Sequence, residues 1–376
     1  MSDQKSLAYL SELENAYEAL VGAGALPPPK LGWLPGVGPR LVLRLLADAS
    51  QLDSQRHQQL VRGLHDGAHA SAECSVGVGQ PARRASFLCV GEAIAWGLDA
   101  TEGPHARRSY ATNLWWSYGS PSSQDLHAID RVQANPHLSL LGKSVSPQSE
   151  GNALFLHFLE RQLSAQSPAA FGTTLFAVAA GAHARPAWQW NNEPDWMDVL
   201  RHSLPNKQRD LADLLGDFSV ARALLGNRQT AGDWPELDWA RPVGGIRFEW
   251  RVPFSSLPRN LAPDHPIEPT GSSYIWIDLD RITPQQSLGF DAHWERPVSF
   301  KWVVLLLGAS GEVLRRLDVP YLESADQQQA TFEHIHGGKA LLICGTNIGG
   351  VSLHHPFDPD LEPWEPHSYT LHLGVL

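Results

Sequence analysis

The sequence predicts an α+β protein, in which a mainly helical N-terminal body with a short sheet is followed by a C-terminal all-β sandwich. Apolar residues recur at three- and four-residue spacing through most of the chain up to Arg228. From Ile246 onward they alternate with polar residues, which is the period of a half-buried strand. The Pro- and Gly-rich segment Asp233–Gly245 lies between the two patterns and predicts a linker. We therefore expect domains at 1–234 and 240–376.

Several segments of the N-terminal part have the spacing of amphipathic helices. Ala8–Val21 predicts the first helix and Asp53–Leu64 a second. Pro104 stands where the first turn of a helix tolerates proline, and that helix should extend to about Trp116. The short apolar run Arg40–Ala47 suits a buried strand. The most regular apolar stripe comprises Leu211, Leu214, Leu215, Phe218, Leu224 and Leu225.

The C-terminal part carries eight short runs with the period-two pattern and no helical pattern between them, so it predicts a β-sandwich. Turn formers such as Gly308 and Gly311 separate the runs. Because these strands supply their own apolar faces, we expect residues 237–376 to fold alone. The predicted strands are Ile246–Phe254, Ser273–Leu279, Ser287–His293, Ser299–Leu307, Glu312–Val319, Ala330–His336, Ala340–Cys344 and Ser368–Gly374.

Composition and charge argue against several kinds of partner. Lys and Arg number 29 against 40 Asp and Glu, which gives a net charge of −11 and no basic patch for nucleic acid or an anionic membrane surface. Residues 1–20 mix charged and apolar positions, so no signal peptide or membrane span is expected and the predicted location is the cytoplasm. Cys74, Cys89 and Cys344 form no CxxC pair, so they predict small buried side chains rather than disulfides or a structural zinc site.

Two local clusters of metal-binding side chains are candidates. His65 and His69 stand at i and i+4, so one helix face would present both imidazoles to a zinc ion. A glycine between them weakens a helix there, and exposed residues at a helix end are the alternative. Asp358, Asp360 and Glu362 could supply oxygens to Ca²⁺, although the neighbouring prolines are equally typical of an ordinary turn.

The stretch after these histidines carries a third signal. The runs GEAIA at 91–95, SYATNLW at 109–115 and SEGNALFLHFL at 149–159 occur in this order ahead of the predicted sandwich. In the sandwich, NIG at 347–349 and FDPD at 357–360 follow. This order resembles that of bacterial zinc metallopeptidases related to the gluzincins, in which an HExxH helix, a glutamate-bearing helix and a further helix precede a β-sandwich. The resemblance covers most of the chain.

The departures from that family decide what the resemblance implies. Gly91, Ala95 and Tyr110 stand at the three zinc-ligand positions, and neither glycine nor alanine has a side-chain donor. Only Glu92, at the place of the general base, remains. The implied function is a non-catalytic binding or scaffold protein without a cofactor, which holds a protein or peptide in the former substrate cleft. The residues expected to line this cleft are Glu92, Trp96, Tyr110 and Trp115.

The alternative is a hydrolase with a non-standard active site. Acids and imidazoles lie close together in this part of the sequence, so a metal-free hydrolase built from a histidine and a carboxylate is open. No serine, threonine or cysteine is indicated as its nucleophile. The acids and imidazoles concerned are Glu92, Glu102, His105, Asp125 and His127.

Overall fold

A computed structural model confirms the α+β class. The residues that it describes are 3–29, 32–34, 38–46, 73–77, 80–99, 102–142, 146–163, 172–177, 196–204, 209–226, 234–280, 282–296, 298–322, 325–349 and 365–376. The chain forms two compact units. The first comprises Met1–Ala128 and Leu141–His202, and the second comprises Ile129–Leu140 and Ser203–Leu376.

Helices dominate the first unit. Helix α1 (Asp3–Tyr17) continues into a π-helical segment and confirms the first predicted helix. The strand predicted at Arg40–Ala47 is also confirmed, whereas the helix predicted at Asp53–Leu64 lies outside the described residues. The other helices of this unit are α2 (Ala82–Leu98), α3 (Pro104–Tyr118), the first half of α4 (Ser123–Ala134), α5 (Pro147–Leu163), α6 (172–177) and α7 (Trp196–Ser203).

Two small sheets accompany these helices. Strands β1 (Gly32–Leu34) and β2 (Gly38–Arg40) form an antiparallel pair. Strands β3 (Val42–Leu46) and β4 (Glu73–Gly77) form a parallel pair, which requires a long connection between them.

Helices α2 and α3 approach each other closely at two small residues. A Cβ atom on Gly91 of α2 would lie 2.9 Å from the Cα atom of Ala111 on α3. Both residues are buried. Since helix interiors are close-packed, only a residue without a side chain permits this approach. Helix α3 itself begins at Pro104 as predicted. Proline is tolerated there because an N–H group in the first helical turn has no acceptor within the helix.

The second unit contains two sheets and the helix α8 (Leu211–Ala223). Its strands are β5 (Trp250–Pro253), β6 (Arg259–Leu261), β7 (Ser272–Asp278), β8 (Leu288–Trp294), β9 (Ser299–Leu307), β10 (Val313–Asp318), β11 (Gln327–Phe332), β12 (Ala340–Gly349) and β13 (Tyr369–Val375). One sheet has the strand order β10-β9-β12-β7-β5 and the other β11-β8-β13-β6. Neighbouring strands are antiparallel except β5 and β7, which are parallel.

The sandwich core lies between these two sheets. It contains Ile275, Phe290, Trp302, Ile343 and Leu371, each from a different strand. In the four-stranded sheet, buried and exposed residues alternate along β8 and β13, so one face of that sheet is solvated. Strands β9 and β12 are instead buried at every position, because α8 covers the second face of their sheet.

Most predicted strands are confirmed with small shifts of their ends. Strand β9 has the predicted bounds, and β12 continues five residues beyond the predicted end at Cys344. The first predicted strand, Ile246–Phe254, shortens to β5. Strand β6 was not predicted, because three residues are too few to display an alternation.

Residues 234–245, predicted as a linker, bury several apolar side chains, although Asp238 and Arg241 in the same segment are exposed. Pro235–Ala240 forms a 3-10 helix, and Trp234 and Leu237 are fully buried. The indole Nε1 of Trp234 donates to the carbonyl oxygen of Ala221 at 2.9 Å. Proline and glycine here form turns between buried apolar residues, and composition alone does not distinguish that arrangement from a flexible connection.

The compact units differ from the predicted domain ranges. Helix α8 and residues 129–140 belong with the sheets rather than with the helical body. Helix α8 belongs there because its Val220 and Ala223, together with Leu224 directly after it, pack on the five-stranded sheet. No helix among the described residues is long and apolar enough to cross a membrane.

The cysteines differ in state. Cys344 is a buried free thiol, as predicted, but Cys89 is disulfide-bonded. The prediction is wrong for Cys89 because a disulfide can join any two segments that meet in the fold, so it needs no CxxC spacing.

Candidate functional site

Four helices of the first unit meet at a series of alternating charges. The Arg84 guanidinium on α2 lies 3.1 Å from Asp125 of α4 and 2.7 Å from Glu150 of α5. Arg108 of α3 lies 3.9 Å from Glu150 and 2.6 Å from Glu92 of α2. We call these five residues the charge chain. It begins at the fully buried Asp125 and ends at Glu92, whose side chain is 16% exposed.

Asp125 is saturated with hydrogen bonds. Its Oδ1 accepts from the Arg84 guanidinium and from Trp116 Nε1, and its Oδ2 accepts from Trp115 Nε1 and from the backbone and hydroxyl of Ser122. Burial alone would raise the pKa of Asp125, but Arg84 and the donors from Trp115 and Ser122 together hold it below its usual value. A carboxylate with so many donors positions helices and leaves no lone pair for a substrate.

Glu92, the residue predicted at the place of a general base, is paired with a cation. Its Oε1 lies 2.6 Å from Nε of Arg108, and both side chains are partly exposed. A general base must be free to accept a proton from water or a substrate, whereas this carboxylate is held by a guanidinium.

The two positions on α2 that the resemblance aligns with zinc ligands, Gly91 and Ala95, have no room for histidine. Even a Cβ atom on Gly91 would lie 2.9 Å from Ala111, and Ala95 is fully buried. An imidazole at either position would displace its neighbours in a close-packed core. Among the described residues, no three His, Cys, Asp or Glu side chains are grouped as metal ligands.

The aromatic residues predicted to line a cleft lie in the interior. The Arg107 guanidinium lies 4.3 Å from the ring centroid of Trp96, and the rings of Trp115 and Phe87 are 5.2 Å apart. Tyr110 has no exposed surface, and Trp96 and Trp115 are 7% and 2% exposed. Of the four predicted cleft residues, only Glu92 therefore has appreciable contact with solvent.

A serine and a histidine meet in the same unit, which the sequence did not predict. Oγ of Ser149 lies 2.9 Å from Nδ1 of His105, and Nδ2 of Asn152 lies 3.0 Å from Nε2 of the same ring. Because the Asn152 amide donates to Nε2, a neutral imidazole carries its proton on Nδ1 and donates it to Ser149. His105 is thus not placed to deprotonate Ser149, and all three residues are buried.

The remaining acid and imidazole of the hydrolase hypothesis lie elsewhere. Glu102 accepts from the backbone N–H groups of Gly103 and Trp196, at 2.9 and 3.0 Å. His127 is exposed, and its Nδ1 lies 2.6 Å from the carbonyl oxygen of Ser123. The structure therefore places Glu92 and Asp125 at opposite ends of the charge chain and gives Glu102, His105 and His127 separate partners.

Another buried acid, Glu160 on α5, was not predicted from the sequence. It is 3% exposed, and both carboxyl oxygens lack a hydrogen-bond partner among the described residues. Burial raises the pKa of Glu160 to about 9, and the neighbouring Asn113 amide opposes part of the rise. Its position four residues after the buried Leu156 and three before Leu163 is the signal that could have found it, because a charged residue interrupts an apolar stripe there.

The two candidate metal clusters lie outside the described residues. They are His65 with His69 for zinc, and Asp358, Asp360 and Glu362 for calcium.

Comparisons with known proteins identify no family. No protein-family model matches the chain, and no curated protein matches it. A pre-peptidase C-terminal domain of a collagenase from Bacillus anthracis is 8% identical with a TM-score of 0.22, over 35% of this chain and 99% of that one. A chitosan-binding module from a Paenibacillus sp. IK-5 chitosanase/glucanase is 15% identical with a TM-score of 0.20, over 33% and 80%.

A third similar structure is PliG from Aeromonas hydrophila, a periplasmic inhibitor of g-type lysozyme. It is 15% identical with a TM-score of 0.20, over 35% of this chain and 100% of that one. Scores of this size carry no argument about function.

Proposed function

We propose that this chain is a non-catalytic binding or scaffold protein on a metallopeptidase-like helical body, and that it holds a protein or peptide. The observation that carries the non-catalytic part is the packing of α2, because Gly91 contacts Ala111 where a zinc ligand would have to stand. Glu92 is in addition paired with Arg108. The peptide ligand rests on the resemblance to peptidases described above.

The binding surface that we propose is the solvent-facing end of the charge chain. Glu92 and Arg108 are 16% and 19% exposed, and Glu150 is 21% exposed, so one cation and two anions reach the surface side by side. A peptide backbone carries hydrogen-bond donors and acceptors, and its two termini carry opposite charges. The neighbouring cation and anions of this surface complement both.

The test combines three measurements on the full-length protein. We expect elemental analysis to find no stoichiometric zinc, and casein and peptide substrates to stay intact with or without added Zn²⁺. We expect a fluorescein-labelled peptide library to bind by anisotropy, and Arg108→Gln to weaken that binding about tenfold. Arg241→Gln is the matched control, because it removes an exposed ion pair with Asp238 in the other unit. Zinc-dependent cleavage, or equal binding by the two variants, would contradict the proposal.

A hydrolase without a metal is the second candidate, because the Ser149 hydroxyl lies 2.9 Å from the His105 imidazole. This function would require the opposite tautomer of His105 from the one that the Asn152 amide favours. Ester or peptide hydrolysis that is lost in Ser149→Ala, while the variant stays folded, would support this alternative. If neither the wild-type protein nor Ser149→Ala hydrolyses these substrates, the hydrolase alternative is excluded.

The cytoplasmic location and the absence of nucleic-acid and membrane partners stay predictions. The disulfide at Cys89 favours an oxidising compartment over the cytoplasm, because reducing thiol systems keep cytosolic cysteines free. Titration of free thiols in denatured protein recovered from its native compartment distinguishes the two locations.

A further inference from the structure

Glu160 is buried, and no cation among the described residues pairs with it. Neither carboxyl oxygen has a well-formed hydrogen bond among the described residues, and the nearby Asn113 amide offsets only part of the effect of burial. An isolated carboxylate in an apolar interior is so costly that the group either takes a proton or binds a cation. The charge at this position therefore depends on whether the carboxyl group binds a proton or a cation.

The elements around Glu160 contribute few groups that titrate. Helix α3 contributes Tyr110, and burial raises the pKa of this phenol well above its usual value. Helix α5 contributes His157, whose Nδ1 lies 3.3 Å from Oδ1 of Asn113. Helix α6 contributes the hydroxyl of Thr173, which does not titrate in the accessible range.

Helix α6 packs directly over this acid. Thr173 Oγ1 and Tyr110 Oη share a hydrogen bond of 2.7 Å, and the rings of Phe176 and Tyr110 are 5.0 Å apart. A Cβ atom on Gly172 would lie 2.7 Å from Cε2 of Tyr110 and 3.6 Å from Oε1 of Glu160. The backbone of α6 thus lies over the carboxyl group, where burial disfavours the charged form.

We propose that Glu160 is a proton-binding site that controls the packing of α6: the neutral acid allows α6 to cover it, and ionisation favours the separation of α6 from α3 and α5. The direction follows from linkage. The packed carboxyl has a pKa of about 9, whereas an ordinary glutamate has 4.5. Between these values the packed state holds a proton that the separated state lacks, so separation becomes more favourable as pH rises and changes no further above about 9.

Hydrogen exchange measured by mass spectrometry on peptides that span residues 172–177 tests this proposal in the full-length protein. After correction for the intrinsic exchange rate, we expect wild-type protection to fall by up to about tenfold per pH unit between about pH 5 and 9. In Glu160→Gln, a neutral isostere, protection should be independent of pH. Tyr110→Phe is the control, since it removes the bond to Thr173 and should lower protection at every pH without changing the slope.

Three outcomes would overturn the proposal. One is wild-type protection that does not depend on pH. Another is a slope that persists in Glu160→Gln, which would assign the dependence to His157 or to a more distant group. The third is protection at pH 9 that is restored by Na⁺ or K⁺ but not by choline at equal ionic strength, because a cation would then be the occupant.

A second measurement covers the case in which Glu160→Gln does not fold. The carboxyl ¹³C shift of Glu160 in wild-type protein should titrate far above the usual range of glutamate. Titration near 4.5, the ordinary value, would overturn the proposal on its own.

Discussion

Gln133 and Arg222 hold each other by two hydrogen bonds that run in opposite directions. Nε2 of Gln133 donates to the carbonyl oxygen of Arg222 at 3.1 Å, and Nε of Arg222 donates to Oε1 of Gln133 at 3.2 Å. Nη2 of Arg222 also donates to the carbonyl oxygen of Val132. Both side chains are buried, so this pair attaches residues 129–140 to α8 within the second unit.

Gln133→Ala should destabilise the protein by about 3 kcal/mol, because it leaves a buried guanidinium N–H without its acceptor and removes one of the donors to the Arg222 carbonyl. Urea unfolding at pH 7 measures the change. Gln329→Ala is the matched control, since Gln329 is exposed on β11 and its loss should change stability by less than about 0.5 kcal/mol. Equal effects of the two substitutions would show that the Gln133–Arg222 pair contributes nothing specific.

Gly91→Ala should destabilise the protein by about 1–3 kcal/mol, although alanine is the better helix former. The added Cβ would meet Ala111 at 2.9 Å, and both contacting atoms belong to a residue that cannot rotate away. Thermal unfolding provides the measurement. Gly216→Ala on α8 is the control, because its nearest neighbour is a side-chain carbon of Lys301 at 3.0 Å rather than backbone. A stabilised Gly91→Ala variant would contradict the close α2–α3 contact.

Installing zinc ligands is a more severe form of the same change. Gly91→His combined with Ala95→His and Tyr110→Glu should give an unfolded protein, because two imidazoles and a carboxylate would replace small or fully buried core groups. Circular dichroism with and without Zn²⁺ tests this. A folded triple variant that binds zinc would contradict the packing described for α2.

Asp125→Asn should destabilise the protein by about 3 kcal/mol at pH 7 and flatten its acid dependence. The pKa of Asp125 is held below its ordinary value, so its contribution is full above about pH 4 and is lost as pH falls through the lower, folded-state pKa. Unfolding measured from pH 7 to pH 2 should therefore show less acid destabilisation in the variant. Asp326→Asn is the control, since that aspartate forms an exposed pair with Arg296 and should matter little.

A fragment of residues 237–376 should not fold cooperatively, contrary to the expectation from its strand pattern. Without α8, the second face of the five-stranded sheet would expose apolar side chains. These are Tyr274, Val303, Leu305, Leu307, Leu342 and Cys344. Near-ultraviolet circular dichroism with urea unfolding measures cooperativity, and a sharp transition in this fragment would show that the helix is dispensable.

Local patterns predicted most of the secondary structure but not how its elements combine. Strand β9 is a continuous apolar run, and its predicted bounds are those observed. The same continuity indicates a strand buried on both faces, yet nothing along the chain says that α8 is the element covering the second face. The packed segment after Trp234 was mistaken for a linker for a similar reason, because composition does not report burial.

The sequence alone determined the α+β class. It also determined that positions 91 and 95 cannot ligate a metal, because glycine and alanine lack side-chain donor atoms in any fold. The tertiary structure decided that Trp96, Tyr110 and Trp115 are interior residues and that Glu92 is paired with Arg108. It also decided that Glu160 is buried beneath α6. The physical reason is that periodicity and residue identity are local properties, whereas burial, ion pairing and a shifted pKa depend on neighbours from distant parts of the chain.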